Sequence, residues 1–262
     1  MKNSETTTYK HSFSSRKHSL RPDSLKQSFT TYKKQQDQYF RIAQPHLKAA
    51  NSHYTLKLTK RLASSINLNS HDHILEVGCG SGRFTFPLLH QNSNLKITGL
   101  DFSEKLLKEL NTLKLRNVKT LLGDVDEINK LTKEKFNKII GFYILHHLPD
   151  LENSLKSLRK VTKGGTQVAF VEPNPLNLLY YPQPFISKNM SWHEEKGFMK
   201  LKKKFLEEQF KKAGYKDLKI HKFGFFPPFI MNRKWGIILD NTLEKSPIKT
   251  FLPFQLITAT IP

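Results

Sequence analysis

The stretch Ile74-Leu75-Glu76-Val77-Gly78-Cys79-Gly80-Ser81-Gly82-Arg83 decides the fold of this chain. Its first four residues, apolar apart from Glu76, read as a buried strand. Gly78, Gly80 and Gly82 then remove side chains at alternate positions, just where a helical pattern opens at Ser81. A strand, a glycine turn and a helix start in that order let the backbone approach a ligand closely. In a doubly wound sheet such a turn lies at the carboxyl edge of the first strand, where these sheets bind nucleotides. The dinucleotide fingerprint Gly-x-Gly-x-x-Gly is not met, because Arg83 stands three positions after Gly80.

What stands instead is Glu76-x-Gly78-x-Gly80-x-Gly82, and in this the chain resembles the class I S-adenosylmethionine-dependent methyltransferases. The resemblance implies an α/β fold: a doubly wound, Rossmann-like, seven-stranded mixed sheet, last strand antiparallel, helices on both faces. It also implies S-adenosylmethionine as cofactor and S-adenosylhomocysteine as product. Glu76 and the loop Gly78, Cys79, Gly80 and Gly82 would then hold the amino-acid end of the cofactor, whose ammonium and sulfonium are positive.

Outward from the loop, 95–100 reads as the second strand, ending at Asp101 and Phe102. A carboxylate at that strand end can accept hydrogen bonds from both ribose hydroxyls; alternatively Asp101 merely precedes a helix capped by Ser103. The third strand, 118–122, closes in Gly123-Asp124-Val125. By resemblance an acidic residue there takes the adenine amino group, with Val125 beside it; Asp124 fits by position, and Asp126 is the other candidate. The fourth strand, 136–142, leads through Phe142 into Tyr143-Ile144-Leu145-His146-His147-Leu148-Pro149-Asp150, the strand end that faces the transferred methyl in the family.

His146 and His147 are candidates for a general base, against a structural reading in which backbone satisfies them. Glu172, after the fifth strand at 166–171, is the third candidate. No metal set is read, since adjacent histidines diverge on a helix or strand. Enzymes that methylate nucleic-acid amines place Asn or Asp before Pro-Pro-aromatic after the fourth strand. That motif is absent here, and Glu172-Pro173-Asn174-Pro175 follows the wrong strand.

A helix that Asp150 caps is expected to end at Gly164-Gly165, a further helix spans 200–214, and strands follow at 215–223 and 254–261. Apolar residues within 38–66 recur at helical spacing, broken at Pro45, which gives two cover helices and makes Tyr39 and Tyr54 either lid or packing residues. Residues 176–192 form either a roof over an apolar acceptor or ordinary core. The long connection 224–253 needs a reason in a family where these strands nearly form a hairpin. Ile230, Trp235, Ile238, Leu239 and Leu243 suit a helix, which either covers the site, with Arg233 and Lys234 meeting a membrane surface, or simply packs on the sheet.

Residues 1–36 are too polar to bury much surface and read as a disordered basic tail, with organelle targeting as an alternative. The domain then occupies 37–262: a helical cover at 37–70, a cofactor-binding core at 71–172, and substrate-side loops with the last strands at 173–262. Lys and Arg outnumber Asp and Glu 43 to 22, a net charge of +21, which implies either attraction to something anionic, nucleic acid or a membrane surface, or general solubility, and identifies no partner by itself. The single cysteine, Cys79, excludes an intrachain disulfide. It is either a reactive thiol or a small residue tolerated in a tight turn. No run of eighteen apolar residues reads as a membrane span. The expected setting is cytoplasmic or peripheral to a membrane. The expected acceptor is a small or lipid-like molecule, with RNA modification or a non-catalytic cofactor-binding protein as alternatives.

Overall fold

The computed structural model describes residues 49, 52–182, 185, 192–224, 226, 231–244 and 249–262. The predicted tail, the cover helix before Pro45 and Tyr39 lie outside them. Seven strands, β1 (His73–Val77), β2 (Lys96–Asp101), β3 (Val118–Leu122), β4 (Phe136–Phe142), β5 (Thr162–Pro173), β6 (Lys216–Phe223) and β7 (Phe254–Thr260), form one sheet in the order β3-β2-β1-β4-β5-β7-β6. β7 runs antiparallel to both neighbours, and the other pairs are parallel. The six longer helices are α1 (His53–Ser65), α2 (Thr85–Gln91), α3 (Glu104–Thr112), α4 (Leu151–Arg159), α5 (Lys203–Lys212) and α6 (Lys234–Leu243).

Period-two alternation along β1 sorts its side chains into two cores. Leu75 and Val77 join Ile139, Val168, Leu155 and Phe210 on the face covered by α4 and α5, whereas Ile74 joins Ile97, Ile140, Leu58, Leu62 and Leu88 on the face covered by α1 and α2. Glu76, two residues after Ile74, therefore points to the α1/α2 face. Its register neighbours are Gly99 in β2 and Ile140 in β4. The sheet thus carries a carboxylate into the α1/α2 layer, directly below the glycine turn.

Several boundaries differ from the sequence expectation, most of all where glycines govern the backbone. α2 starts at Thr85 rather than Ser81, because the glycine turn holds positive φ at Gly80 (+52°) and Gly82 (+89°), which a right-handed helix cannot continue. α4 ends at Arg159, so Gly164-Gly165 falls inside β5, where the pairing with β4 shifts register between Phe136 and Lys138. Gly165, at φ +79°, supplies the left-handed residue of that irregularity. Asp150 caps α4 as expected, its Oδ1 accepting the Asn153 N–H at 3.0 Å.

Candidate active site

The turn after β1 is built from packing and from charge. Cβ atoms at Gly78 and Gly82 would lie 2.7 Å from Ile144 and 2.6 Å from Leu110, so these glycines admit neighbouring side chains. Gly80 differs: the nearest atom to such a Cβ is Leu106 Cδ1 at 3.8 Å, which leaves its outer side open for close approach. Its N–H donates to Asp101 Oδ2 at 2.8 Å, and Ser103 N–H donates to Asp101 Oδ1 at 2.9 Å. Asp101 is therefore clamped between the glycine turn and the start of α3. Ser103, expected as a side-chain cap, makes no cap bond, and its hydroxyl is buried without a hydrogen-bond partner.

Glu76 is buried and accepts a 2.6 Å hydrogen bond from the Thr85 hydroxyl. Burial pushes its pKa up to about 7; Thr85 opposes that shift and the nearby Asp101 adds to it. Such a carboxylate lacks a cation, and an ammonium group beside it would restore its charge. The third strand end joins the same edge, since Gly123 N–H donates to the Asp101 carbonyl at 2.9 Å. Asp124 and Asp126 separate here. Asp126 Oδ1 is engaged by Ser154 of α4 at 2.6 Å, whereas Asp124 accepts the Asp126 N–H at 3.0 Å and sits half-buried at the strand end, with Val125 buried next to it. Phe102 is half-buried beside Asp101, and Phe142 stacks on Phe84 at 4.2 Å. These residues fit a cofactor with a cationic head, a ribose and no phosphate.

Cys79 is buried, and a Cβ on Gly99 of β2 would lie 2.7 Å from its sulfur. Burial, then Asp101 and Glu76, push the thiol well above its ordinary range, so Cys79 packs the turn against β2 and is not a reactive thiol.

The turn after β4 holds the three candidates for a general base, His146, His147 and Glu172, in different surroundings. Glu172 is fully buried; its Oε1 accepts the N–H groups of Ile144 (2.8 Å) and Leu145 (2.7 Å), and its Oε2 meets His146 Nδ1 at 2.6 Å. A carboxylate that meets three donors positions this turn. On its other side, His146 Nε2 faces Glu195 at 3.5 Å, a residue to which no sequence motif pointed. Burial alone would lower the His146 pKa, but Glu172 and Glu195 outweigh it and raise it to about 9, so the ring carries its proton at neutral pH. His147, buried and next to that imidazolium, is pushed down to about 3 and is a weak proton acceptor.

The adjacent histidines do not diverge as expected. They occupy a tight 3-10 turn, Leu145–His147, with ring centroids 3.9 Å apart. The donor atoms of His146, His147 and Glu195 lie within 4.8 Å of one another, a set able to hold a metal ion, and the His146 proton supplies a positive charge at the same place.

Sequence reasoning also missed Tyr143. It is a non-glycine residue at φ +55°, and its hydroxyl lies 2.5 Å from that of Tyr54 on α1. A left-handed tyrosine at the end of β4 is a strained position of the kind found at functional sites. Its ring and that of Tyr54 lie within 6.2 Å of Phe254, and the Arg83 guanidinium sits 5.5 Å over Tyr54, so the edge beside the glycine turn is walled by aromatic rings. Tyr54 thus belongs to this wall.

Beyond β5, the described residues of 174–182 and 192–200 pack against one another and against the post-β4 turn. Tyr180 donates to Glu195 at 3.2 Å, Tyr181 and Trp192 ring the fully buried Phe198, and a Cβ on Gly197 would lie 2.0 Å from the His146 carbonyl oxygen. Within 176–192, the segment read either as a roof or as ordinary core, Leu176, Leu178 and Phe185 are exposed.

A parallel sheet whose first, second and third strand ends bear Glu76, Asp101 and Asp124 around a glycine turn is the arrangement of class I S-adenosylmethionine-dependent methyltransferases. The profile of the methyltransferase domain family matches residues 68–224, and the chain belongs to that family. It is 30% identical over 191 residues to a demethylmenaquinone methyltransferase of Lactococcus lactis subsp. lactis, covering 64% of this chain and 73% of the relative. It is 26% identical over 184 residues to a demethylmenaquinone methyltransferase of Staphylococcus epidermidis, covering 63% of this chain and 76% of the relative. Among solved structures, the plantazolicin methyltransferase BamL in complex with a triazolic desmethylPZN analog and SAH aligns with a TM-score of 0.59 at 14% identity, covering 92% of this chain and 91% of that one.

Proposed function

We propose that this chain transfers the methyl group of S-adenosylmethionine to a small, lipid-like acceptor. The observation that carries the reading is the convergence, at one sheet edge, of a cation-deficient carboxylate at Glu76, the open glycine Gly80 and the clamped Asp101, beside the aromatic wall of Tyr54, Tyr143 and Phe254. In this reading Glu76 and the turn of Gly78, Cys79, Gly80 and Gly82 hold the amino-acid end. Asp101 and Phe102 hold the ribose, Asp124 and Val125 hold the adenine, and Phe142 lines the cleft. Two demethylmenaquinone methyltransferases among the relatives support an apolar acceptor.

When bound, the cofactor supplies a sulfonium-activated methyl group for in-line displacement. The chain's own task is to hold both partners in line and exclude water, which lowers such a barrier by roughly 7–11 kcal/mol. The protonated state of His146 and the commitments of Glu172 agree with a reaction that relies on alignment more than on a base.

Calorimetric titration with S-adenosylmethionine, S-adenosylhomocysteine and NAD tests the cofactor, with micromolar binding of the first two and none of NAD expected. Transfer of labelled methyl into lipid extract, and not into RNA, tests the acceptor; label in RNA alone would reverse the assignment.

A further inference from the structure

Helix α6 is amphipathic in the wrong sense for a helix packed on a core. Among its described residues Gly236 and Asp240 are buried, Asp240 being 1% exposed, while Trp235, Ile238 and Leu239, spaced i, i+3 and i+4 on one face, are 57%, 70% and 41% exposed. The inner face is held by charge. Asp240 pairs with Lys57 of α1 and accepts the Phe226 N–H at 2.8 Å, and Glu244 reaches Lys57 at 2.9 Å and Arg61 at 2.5 Å. These ion pairs fix the helix so that its apolar side faces outward.

The position of that face in the fold is not random. β5 and β6 end, and β7 begins, at the carboxyl edge, the edge that carries the glycine turn and Tyr143. Seven of the nine exposed large apolar residues among those described lie in the two segments that leave this edge: Leu176, Leu178 and Phe185 in 174–200, and Trp235, Ile238, Leu239 and Phe251 in 224–253. The two segments are stitched together, since Asn177 Nδ2 donates to the Phe251 carbonyl at 2.6 Å and Asn174 Nδ2 to the Thr250 carbonyl at 2.9 Å.

Charge selects the occupant. Arg233 and Lys234 are exposed immediately before Trp235, and the chain carries a net charge of +21. A second copy, or this chain's own lysine-rich tail, would bring like charge against that rim. On α6 itself a single aromatic, Trp235, stands beside Ile238 and Leu239, a platform for at most one base. A flat anionic bilayer needs no shape complementarity, takes Trp at its interface and attracts Arg and Lys.

We propose that the α6 face is a docking site for an anionic lipid surface, through which the active site takes its acceptor from the lipid phase. This inference rests on the reading of a lipid-like acceptor, and deepens it.

Sedimentation of the full chain with phosphatidylcholine vesicles, with and without phosphatidylglycerol, tests it. Binding is expected on the anionic vesicles, with a blue shift of Trp235 emission in a Trp192→Phe background. The combined change Trp235→Ser, Ile238→Ser and Leu239→Ser is expected to weaken binding about a hundredfold. Arg233→Gln and Lys234→Gln are each expected to cost about fivefold, on anionic vesicles only. Equal binding by the triple variant would mean that general positive charge drives association, and would overturn the proposal. So would no binding to either vesicle, or a dimer in light scattering that the triple variant abolishes. Calorimetric cofactor binding by the triple variant should match that of the unaltered protein, so failure at the membrane is distinguishable from failure of the methyltransferase reading.

Discussion

Glu76 and Glu195 are both buried glutamates at the working end of the sheet, and their acidities are driven in opposite directions. Burial pushes Glu76 up to about 7, Thr85 offsetting part of the shift and Asp101 adding to it. Burial acts the same way on Glu195, but the His146 ring, by hydrogen bond and by charge, outweighs it and holds the carboxyl at about 2. The fold gives Glu195 a cation, whereas among the described residues none pairs with Glu76, and the proposed role of Glu76 toward the ammonium of the cofactor rests on that difference.

The largest effect that could break this contrast is on stability. His146→Ala leaves Glu172 and Glu195 buried without their cation and is expected to cost about 3–5 kcal/mol in urea unfolding. Glu76→Gln removes a destabilised charge and should leave unfolding unchanged or slightly improved. A loss comparable with that of His146→Ala would mean that both sites are structural.

In cofactor affinity the order reverses. Glu76→Gln and Asp101→Ala are each expected to weaken S-adenosylmethionine binding by about 1.5–3 kcal/mol in calorimetry, as loss of a hydrogen bond to a charged group does. Unchanged affinity in either would remove that residue from the site.

The contrast sharpens further with pH. His146 titrates in the fold at about 9, above its ordinary 6.5, so its stabilisation is fully present below 6.5 and is lost as pH rises through about 9. Glu195, at about 2 against an ordinary 4.5, contributes above 4.5 and loses its contribution as pH falls through about 2. Glu76 has the opposite sign for a carboxylate: its folded value of about 7 exceeds 4.5, so it withdraws stability as pH rises from 4.5 to about 7. Thermal unfolding across this range should show Glu76→Gln flattening the acid-side slope and His146→Gln flattening the alkaline side. The smallest effect concerns Cys79, whose thiol should resist alkylation at neutral pH in the folded protein and react once urea unfolds it.

Much of the fold was legible in residue order alone. Apolar runs of strand length, the three glycines after Val77 and the carboxylates ending the first three strands follow from short-range rules, and β3 and β4 match their expected bounds. The boundaries that moved are those where glycine conformation, invisible in the letters, governs: the delayed start of α2 and the irregular entry of β5. Asp124 and Asp126 could not be told apart by spacing, because which of them Ser154 engages depends on how α4 packs beneath the loop.

The sequence by itself determined the layered sheet, the glycine turn and the candidate cofactor carboxylates, since each depends on neighbours within a few residues of the chain. Only the tertiary structure decided what His146, Glu172 and Glu195 do, because their charges act across 26 residues from Glu172 to His146 and across a separate segment to Glu195. It also decided that α6 turns its apolar side outward. The periodicity of a helix says which residues share a face, and the ion pairs of Asp240 and Glu244 with α1 say which face points in.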